Sequence, residues 1–409
     1  MFWREKYPAI SPQNYPFSLD FLPKTAYLVG GALRDALLLR KREYLDLDFV
    51  VFEGAIAIAR KIAKYYRAGF VVLDKEREIA RVVFDRATVD IALAEGNKVE
   101  TDLRRRDFTI NVIAYNPHND ELFDPLGGKS DLDSKIIKMV SKSNLEDDPL
   151  RLLRAYRQAA QLNFTIEPVT KSTIRDLSAF ISSIAAERVR SELNYLLADS
   201  NGNNWLQGAI AAGLLKPWLK QIEAENLEIL SKIDRAIEQL KDIEGFSGNL
   251  ALAKLACLVS RVPQTAELEL IDLKYSRAEI RTVTTALRSL PRLEGLTAPM
   301  SLKEQYFFFL DVGDVFEIVA VLAIAKQVDR NFIYSLIKRY LDPQDPIAHP
   351  QPLITGKDLI RVLKIKPSPK IGLLLSEIQI ALIEGKISNS EEALKLAKKI
   401  YLEIEKNPQ

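Results

Sequence analysis

The sequence has 409 residues, of which 47% are hydrophobic and 27% are charged, so it is long enough for roughly two to four domains with packed cores. Its 57 basic residues nearly cancel its 55 acidic ones, and the formal charge of +2 neither requires nor excludes a nucleic-acid partner, because a basic surface can be local. With two histidines and one cysteine, the chain lacks the residues for intrachain disulfides, histidine-rich zinc sites or Ser-His triads, so any chemistry must use carboxylates.

The N-terminal segment has no features of a targeting sequence. A signal peptide needs a basic stretch followed by an apolar one, and this segment has neither. No later stretch approaches the roughly 20 uninterrupted apolar residues of a membrane span. The single cysteine, Cys257, fits a reducing compartment. We therefore expect a cytoplasmic protein with no membrane partner.

The first third of the chain alternates between strand and helix patterns. A short apolar run at residues 27–29 ends at Gly30-Gly31, and a helical pattern follows it. Residues 55–66 have the spacing of a second helix. Runs rich in β-forming residues, bounded by charges and turns, occupy residues 49–52, 70–73, 81–84 and 88–92. This pattern predicts a small α/β domain that ends near residue 140.

After Pro149 the strand signal nearly disappears. Apolar residues recur at helical spacing in the segments 150–162, 169–180, 186–197, 226–240, 249–262, 277–290 and 315–341. A proline-rich stretch at residues 342–352 then precedes a final helical unit. We predict an α+β chain in which an α/β head is followed by an elongated, all-helical remainder. Its predicted parts are a head at 1–140, a neck at 141–200, a body at 201–345 and a tail at 346–409.

The strongest chemical signal in the head is the pair Asp46 and Asp48 on a predicted strand. Because side chains alternate along a strand, both carboxylates project from the same face, roughly 6–7 Å apart along the chain. Two carboxylates in this arrangement can converge on a pair of divalent ions, and Mg²⁺ fits because it binds carboxylates together with substrate phosphates. The preceding Gly30-Gly31 turn allows backbone amides at a helix start to approach a phosphate.

A third acid, Asp90, lies among apolar residues of a later predicted strand. A carboxylate in such surroundings needs compensation, and metal coordination would supply it. We interpret Asp90 as a third catalytic carboxylate. The alternative is an edge-strand acid that other groups satisfy.

These residues resemble the first motif of a known superfamily. The motif is Gly-Gly-x-x-Arg-Asp followed by Asp-x-Asp, and it corresponds here to Gly30, Gly31, Arg34, Asp35, Asp46 and Asp48. It is typical of nucleotidyltransferases of the DNA polymerase β type. Within them the chain is similar to the class II branch, which contains CCA-adding tRNA nucleotidyltransferases and bacterial poly(A) polymerases. The resemblance extends over nearly the whole chain and implies a polymerase-β-like head, with Gly30, Gly31, Arg34 and Asp35 at the nucleotide. It also implies two Mg²⁺ ions at Asp46 and Asp48.

Two further motifs follow in the head. Arg106, Asp107 and Asn111 match the family's second motif, and the resemblance implies that they contact the nucleotide and help to select ribose. Asp107 can accept a hydrogen bond from a ribose hydroxyl, and Arg106 can pair with phosphate. Residues 124–132 match the third motif, a turn that joins head and neck and for which we expect a structural or hinge role.

The fourth motif covers Asp147, Asp148, Arg151 and Arg154, for which the resemblance implies nucleotide binding. Asp148 and Arg151 are three residues apart, so we expect them on one face of a beginning helix. Asp148 would accept from the amino group of cytosine or adenine, whereas uracil and guanine would leave it unpaired. The family usually has Glu at position 147. Asp147 has a shorter reach, and helix capping is its alternative role.

Two helical segments complete the resemblance. Residues 187–193 match the fifth motif, which is thought to brace the neck helices, and we assign them no catalytic role. Residues 352–372 resemble the family's C-terminal segment that holds RNA, with a terminal capping subdomain as the alternative.

The resemblance implies attack by an RNA 3′-hydroxyl on the α-phosphate of ATP or CTP, with a tRNA 3′ end as partner and no obligate protein partner. Four products are possible: CCA, CC, terminal A and poly(A). In the family, a flexible loop after the first motif is associated with switching from C to A. The corresponding residues 73–81 are compact and charged, as in members divided between CC-adding and A-adding partners.

We favour tRNA maturation by CCA or terminal A addition over the CC-only and poly(A) alternatives. A different class, an inactive RNA- or nucleotide-binding protein, is disfavoured by the intact acid pair. Nucleotidyl transfer to a small molecule is disfavoured by the long helical region.

Overall fold

The computed structural model describes residues 3–40, 44–220, 222–296 and 298–406. Contacts divide the chain into two compact units, Met1–Pro217 and Trp218–Gln409. Within the described ranges all strands belong to the first unit, and the second unit is built of helices. The predicted α+β class is confirmed. The finer division at residues 140, 200 and 345 stays a prediction.

Seven strands of the first unit form one mixed sheet in the order β3-β4-β5-β2-β1-β6-β7. The pairing of β2 with β5 is parallel, and the other pairings are antiparallel. Two further strands, β8 and β9, form a short parallel pair. The strands are β1 Tyr27–Val29, β2 Leu45–Val51, β3 Gly69–Asp74, β4 Ile79–Phe84, β5 Ala87–Leu93, β6 Ala114–Asn116, β7 Glu121–Phe123, β8 Ile136–Ile137 and β9 Thr165–Ile166.

The two faces of the seven-stranded sheet differ in cover. Helix α3, Ala55–Tyr66, packs against β3, β4 and β5 on one face and buries its alanine and isoleucine stripe. Along β4, Ala80 and Val82 are fully buried, whereas Arg81 and Val83 alternate with them and are not. The other face of the sheet is not covered by α3, and at β4 it carries the polar Arg81 and the exposed Val83.

Ten helices are described in the first unit. They are α1 Trp3–Lys6, α2 Gly30–Leu37, α3 Ala55–Tyr66, α4 Val99–Arg104, α5 Gly128–Asp133, α6 Lys142–Asp147, α7 Leu150–Leu162, α8 Pro168–Asp176, α9 Ala186–Ala198 and α10 Gly202–Ala211. Helix α7 packs against α9 and α10 and buries Leu152, Leu153 and Tyr156. It ends at Asn163, whose left-handed φ of 55° stops the helix.

The second unit contains ten described helices with buried apolar faces. They are α11 Ala224–Leu240, α12 Leu250–Leu258, α13 Pro263–Asp272, α14 Arg277–Ser289, α15 Leu302–Val312, α16 Phe316–Ala325, α17 Arg330–Leu341, α18 Gly356–Leu363, α19 Pro369–Ile383 and α20 Ser390–Lys406. Reciprocal caps begin α14 at Ser276 and α15 at Ser301. None of the helices in the described ranges combines the length and apolar character that crossing a membrane requires.

Several predicted elements are confirmed at their bounds, and others are not. Residues 55–66 and 150–162 are helices as predicted. The single helix predicted over 249–262 is wrong, because α12 ends at Leu258 and Pro263 starts a separate helix. The prediction for 315–341 also merges two helices, between which Gln327 takes a left-handed φ of 63°. Helix α15 was not predicted.

Candidate active site

The acid pair lies on β2, next to the turn that begins α2. Asp48 is opposite Val29 in the sheet, and Gly30 follows Val29 directly. Gly30 has a left-handed φ of 76°, and a Cβ placed on it would lie 2.9 Å from Asp48 Oδ2. A side chain at this position would therefore collide with the carboxylate. The close approach explains why glycine stands between the strand and the helix.

The carboxylate of Asp48 is electrostatically crowded. Burial and the negative charges of Asp46 and Asp90 raise the pKa of Asp48 to about 7, although Arg106 and Arg81 act in the opposite direction. A bound cation would favour the ionised form and offset this repulsion. The residues present therefore fit a divalent metal at Asp46 and Asp48.

Asp90 is opposite Asp48 in the parallel β2–β5 register, but its carboxylate is already paired. Arg81 Nε and Nη2 donate to its two oxygens at 2.7 and 2.8 Å. Asp46 accepts a hydrogen bond from the Thr88 hydroxyl. Among the described residues, no group of three or more His, Cys, Asp or Glu side chains is placed to hold a metal ion. The role of Asp90 as a third catalytic carboxylate stays a prediction.

A cavity of about 640 Å³ opens beside the acid pair. Its walls come from the sheet, from helix α2, from the second motif and from helices α7 and α9. It is lined by Gly30, Gly31, Arg34, Asp46, Asp48, Arg106, Asp107, Asn111, Asp148, Leu150, Arg151, Arg154, Arg157, Gln158, Gln161, Arg188, Glu192 and Tyr195. The fold thus brings most of the predicted site residues to one cavity, although they are separated by more than a hundred positions in the chain.

Three predicted site residues do not line this cavity. Asp35 is buried on α2 and pairs with Arg34 at 2.9 Å. Asp90 pairs with Arg81, as described above. Asp147 is exposed at the last position of α6. Their predicted contacts with nucleotide or metal stay predictions.

Asp107 is the centre of a buried polar network. Arg154 Nε and Nη2 donate to its Oδ2 at 3.0 and 2.8 Å, and Asn111 Nδ2 donates to its Oδ1 at 2.8 Å. Gln158 Oε1 in turn accepts from Asn111 and, at 3.3 Å, from Arg34. The network links the glycine turn of the head to helix α7. The oxygens of Asp107 accept hydrogen bonds from both Arg154 and Asn111, and these bonds hold the two side chains in place.

The charge state of Asp107 follows from these contacts. Burial alone would raise its pKa, but the charge of Arg154 and the hydrogen bonds from Asn111, Arg154 and the Phe108 amide outweigh burial. Together they lower the pKa of Asp107 to about 2. The carboxylate is therefore ionised at every pH at which the protein is expected to work.

Asp148 and Arg151 reach the cavity in a different way from that predicted. Asp148 lies between helices, after α6 and before Pro149, and only Arg151 is in α7. The expectation that both share one helical face is wrong, because α7 begins only at Leu150, after the N-cap residue Pro149, and Asp148 lies outside it. Asp148 Oδ2 accepts from Arg188 at 3.0 Å, and Arg151 Nη1 donates to the carbonyl oxygens of Arg105 and Asn144.

Arg106 offers a hydrogen-bond donor for an anion. Its Nη2 donates to Asp102 Oδ2 at 2.9 Å. Its buried Nε has no hydrogen-bond partner among the described residues. A buried guanidinium donor without a partner is costly, and a phosphate in the cavity would satisfy it.

Sequence reasoning missed several residues of the cavity wall. Arg157 donates to Glu192, and Glu192 is also 3.6 Å from Arg154. Arg157 lies over the ring of Tyr195, and Gln158 joins the network of Asp107. Arg151, Arg154 and Gln158 recur at helical spacing, so a polar face of α7 was a signal that could have identified Gln158.

Three family models match the chain. They are the poly A polymerase head domain at residues 26–138, a probable RNA and SrmB-binding site of polymerase A at residues 163–226, and a putative tRNA nucleotidyltransferase domain 2 at residues 246–397. The first of these matches contains the acid pair and the second motif.

Individual proteins are similar over almost the whole chain. A CC-adding tRNA nucleotidyltransferase of Synechocystis sp. is 50% identical, with 95% of this chain and 96% of that protein covered. An A-adding tRNA nucleotidyltransferase of Deinococcus radiodurans is 29% identical, with 91% and 94% covered. The solved structure of the Thermotoga maritima CCA-adding enzyme complexed with tRNA_CCA has a TM-score of 0.70 at 25% identity, with 92% and 91% covered.

We predict that Asp107 makes stability depend on pH in the acid range. Its folded pKa of about 2 lies below the ordinary 3.8, so its contribution is fully present above about pH 4 and is lost as the pH falls toward 2. The contribution is about 2 kcal/mol. Asp107→Asn should therefore cost more stability at pH 7 than at pH 3 in urea unfolding followed by circular dichroism.

Asp147→Asn is the matched control, because Asp147 is exposed, and it should change stability little at either pH. Equal losses for Asp107→Asn at pH 7 and pH 3 would contradict the assigned charge state.

Proposed function

This chain belongs to the tRNA nucleotidyltransferase family, and on that premise we propose that it adds the two cytidylates of the CCA terminus to tRNA. The observation that carries the choice of product is the identity of 50% with a CC-adding relative, compared with 29% for an A-adding one. CC addition is thus favoured over the CCA and terminal A products that the sequence alone suggested.

The connection between β3 and β4 supports the same product. Only residues 75–78 separate the two strands. Asp74 Oδ1 accepts from the amides of Glu76 and Arg77 at 3.0 Å, so the turn is pinned to the end of β3. The resemblance associates a flexible loop in this region with switching to A, and a four-residue pinned turn leaves no chain for such a loop. Terminal A addition is the second candidate, because the Deinococcus radiodurans relative is A-adding.

In the proposed reaction, the 3′-hydroxyl oxygen of the tRNA bonds to the α-phosphorus of CTP. The bond between the α-phosphorus and the bridging oxygen breaks, pyrophosphate leaves and the hydroxyl proton is released. Asp46 and Asp48 would hold two Mg²⁺ ions. Bound there, the ions supply charge neutralisation for the triphosphate and activation of the hydroxyl. Two aspartates suffice from the protein, because Mg²⁺ usually takes one or two carboxylates and completes its shell with phosphates and water.

The remaining cavity residues would bind and select the nucleotide. Arg106 supplies for the triphosphate an Nε donor that has no hydrogen-bond partner in the described part of the chain. Asp148 would accept from the cytosine amino group, and uracil would present a carbonyl oxygen there instead. Arg188, which pairs with Asp148 at 3.0 Å, would hold that carboxylate in place. Asp107 positions Arg154 and Asn111, and a ribose contact of Asp107 stays a prediction.

We predict that Mg²⁺ stabilises the metal-free protein through the acid pair. An ion that binds only the folded state raises the unfolding free energy, by about 2.7 kcal/mol when its free concentration is about 100 times Kd. Differential scanning calorimetry should show a higher Tm, and Asp46→Asn/Asp48→Asn should abolish the increase. Asp85→Asn, an exposed turn variant, should keep it. An equal increase in all three proteins would mean non-specific salt stabilisation.

We predict the product from labelled tRNAs that end before CCA or after CC, each incubated with CTP or ATP. The first tRNA should gain two cytidylates, and the CC-ended tRNA should not be extended with ATP. Asp46→Ala/Asp48→Ala should abolish addition while RNA binding persists. Addition of A to the CC-ended tRNA would contradict CC addition as the product and would favour terminal A addition, the second candidate. Long A tracts on unrelated RNA would overturn tRNA maturation.

A further inference from the structure

Two rows of side chains cross the open face of the sheet from the acid pair to its free edge. The registers of β2–β5, β5–β4 and β4–β3 define them. Residues directly opposite in adjacent strands share a face, so each row is one continuous line. The first row is Asp46, Thr88, Val83 and Gly69, and the second is Asp48, Asp90, Arg81 and Val71.

The outer ends of both rows are apolar and open to solvent. Val71 is 48% exposed and Val83 is 38% exposed. β3 is the edge strand of the sheet and pairs only with β4 in the described part of the chain. Exposed β-branched side chains on the same face as the acid pair, contiguous with it through Thr88 and Arg81, indicate a binding surface. We call Val71, Val83 and Arg81 the edge strip.

The edge strip and the nucleotide cavity lie on opposite sides of the acids. Going from β2 toward β1, the sheet leads to Gly30 and Gly31, which line the cavity. Going the other way, through β5 and β4, it leads to the edge strip. A nucleotide in the cavity would therefore leave the β4 side open for the attacking group.

We propose that the edge strip is the subsite for the last nucleotides of the acceptor RNA, an inference that rests on the proposed function. Strand spacing places Arg81 and Val83 about 10 Å from the acids, and Val71 about 14 Å from them. When the attacking 3′-hydroxyl of the RNA lies at the acids, the sugar and base of the terminal nucleotide lie over the edge strip. The nucleotide before it lies over the strip as well.

The chemistry of the strip fits a nucleotide chain. Bases and riboses have apolar faces that gain free energy when they cover valine side chains. Arg81 adds a cation beside them, and although its Nε and Nη2 bind Asp90, the described contacts give its Nη1 no partner. A free guanidinium donor next to an apolar surface suits the alternating phosphates and bases of RNA. A second copy of the chain would instead have to cover the remaining Nη1 donor of Arg81, which an apolar surface cannot satisfy.

The strand itself offers a matched control. Val72 is also 38% exposed and is adjacent to Val71, but it lies opposite the buried Ala80 and therefore on the α3 face. Val71→Ser/Val83→Ser changes the edge strip, and Val72→Ser makes the same chemical change on the other face. The milder Val71→Thr/Val83→Thr keeps the β-branched shape and should raise KM for the tRNA by less than the serine variant does.

The experiment measures steady-state cytidylate addition to tRNA that lacks CCA. In Val71→Ser/Val83→Ser, KM for the tRNA should rise about tenfold, while KM for CTP and kcat at saturating tRNA stay within about twofold. Fluorescence anisotropy of the labelled tRNA should show the same weakening of binding. Val72→Ser should match the unchanged protein in both measurements.

Three outcomes would overturn the subsite. The double variant could behave like Val72→Ser, or it could raise KM for CTP instead of KM for tRNA. Light scattering could also reveal a dimer of the unchanged protein that the double variant dissociates, which would assign the edge strip to a second copy. If the unchanged protein adds no cytidylate, the proposed function fails on its own, and the anisotropy comparison still tests the subsite.

Discussion

Repulsion between carboxylates on one sheet face is the constraint around which the head is organised. Asp46 and Asp48 alternate along one strand, and Asp90 adds a third negative charge from the neighbouring strand. Arg81 neutralises Asp90 through two short hydrogen bonds, which leaves the other two acids for a cation. Burial, together with the negative charges of Asp46 and Asp90, raises the pKa of Asp48. A site in which buried, ionised carboxylates repel one another without a counter-charge favours a divalent ion that carries a triphosphate.

A second, buried interaction connects the part of the head that carries those acids to helix α7. Asp107 binds Arg154 of α7, and through Asn111 and Gln158 the same network reaches Arg34 in the helix that follows the glycine turn. A buried ion pair of this kind is costly to break, because either partner alone would be left charged and desolvated. The network therefore fixes where α7 begins relative to β2, and with it where Asp148 lies relative to Asp46 and Asp48.

Much of this could be predicted from the sequence because its signals are local. Alternation placed Asp46 and Asp48 on one face, and helical periodicity located α3 and α7 at their observed bounds. Pairings between distant segments left no local signal. The parallel register of β2 with β5 brings Asp90 to Asp48, and the antiparallel register of β4 with β5 brings Arg81 to Asp90. Gln158 was missed because its importance lies in three partners that are far apart in the chain. Asp148 was misplaced because α7 begins only at Leu150, after the N-cap residue Pro149.

The central claim is that Asp46 and Asp48 hold metal ions in contact with the reacting α-phosphate. It is tested most directly by replacing one non-bridging oxygen of the α-phosphate of CTP with sulfur, separately for each diastereomer. A hard ion such as Mg²⁺ binds sulfur poorly, whereas the softer Mn²⁺ tolerates it. The account predicts that one diastereomer is used slowly with Mg²⁺ and that Mn²⁺ restores its addition to tRNA. Equal use of both diastereomers with Mg²⁺, or a defect that Mn²⁺ leaves unchanged, would contradict metal contact at the α-phosphate.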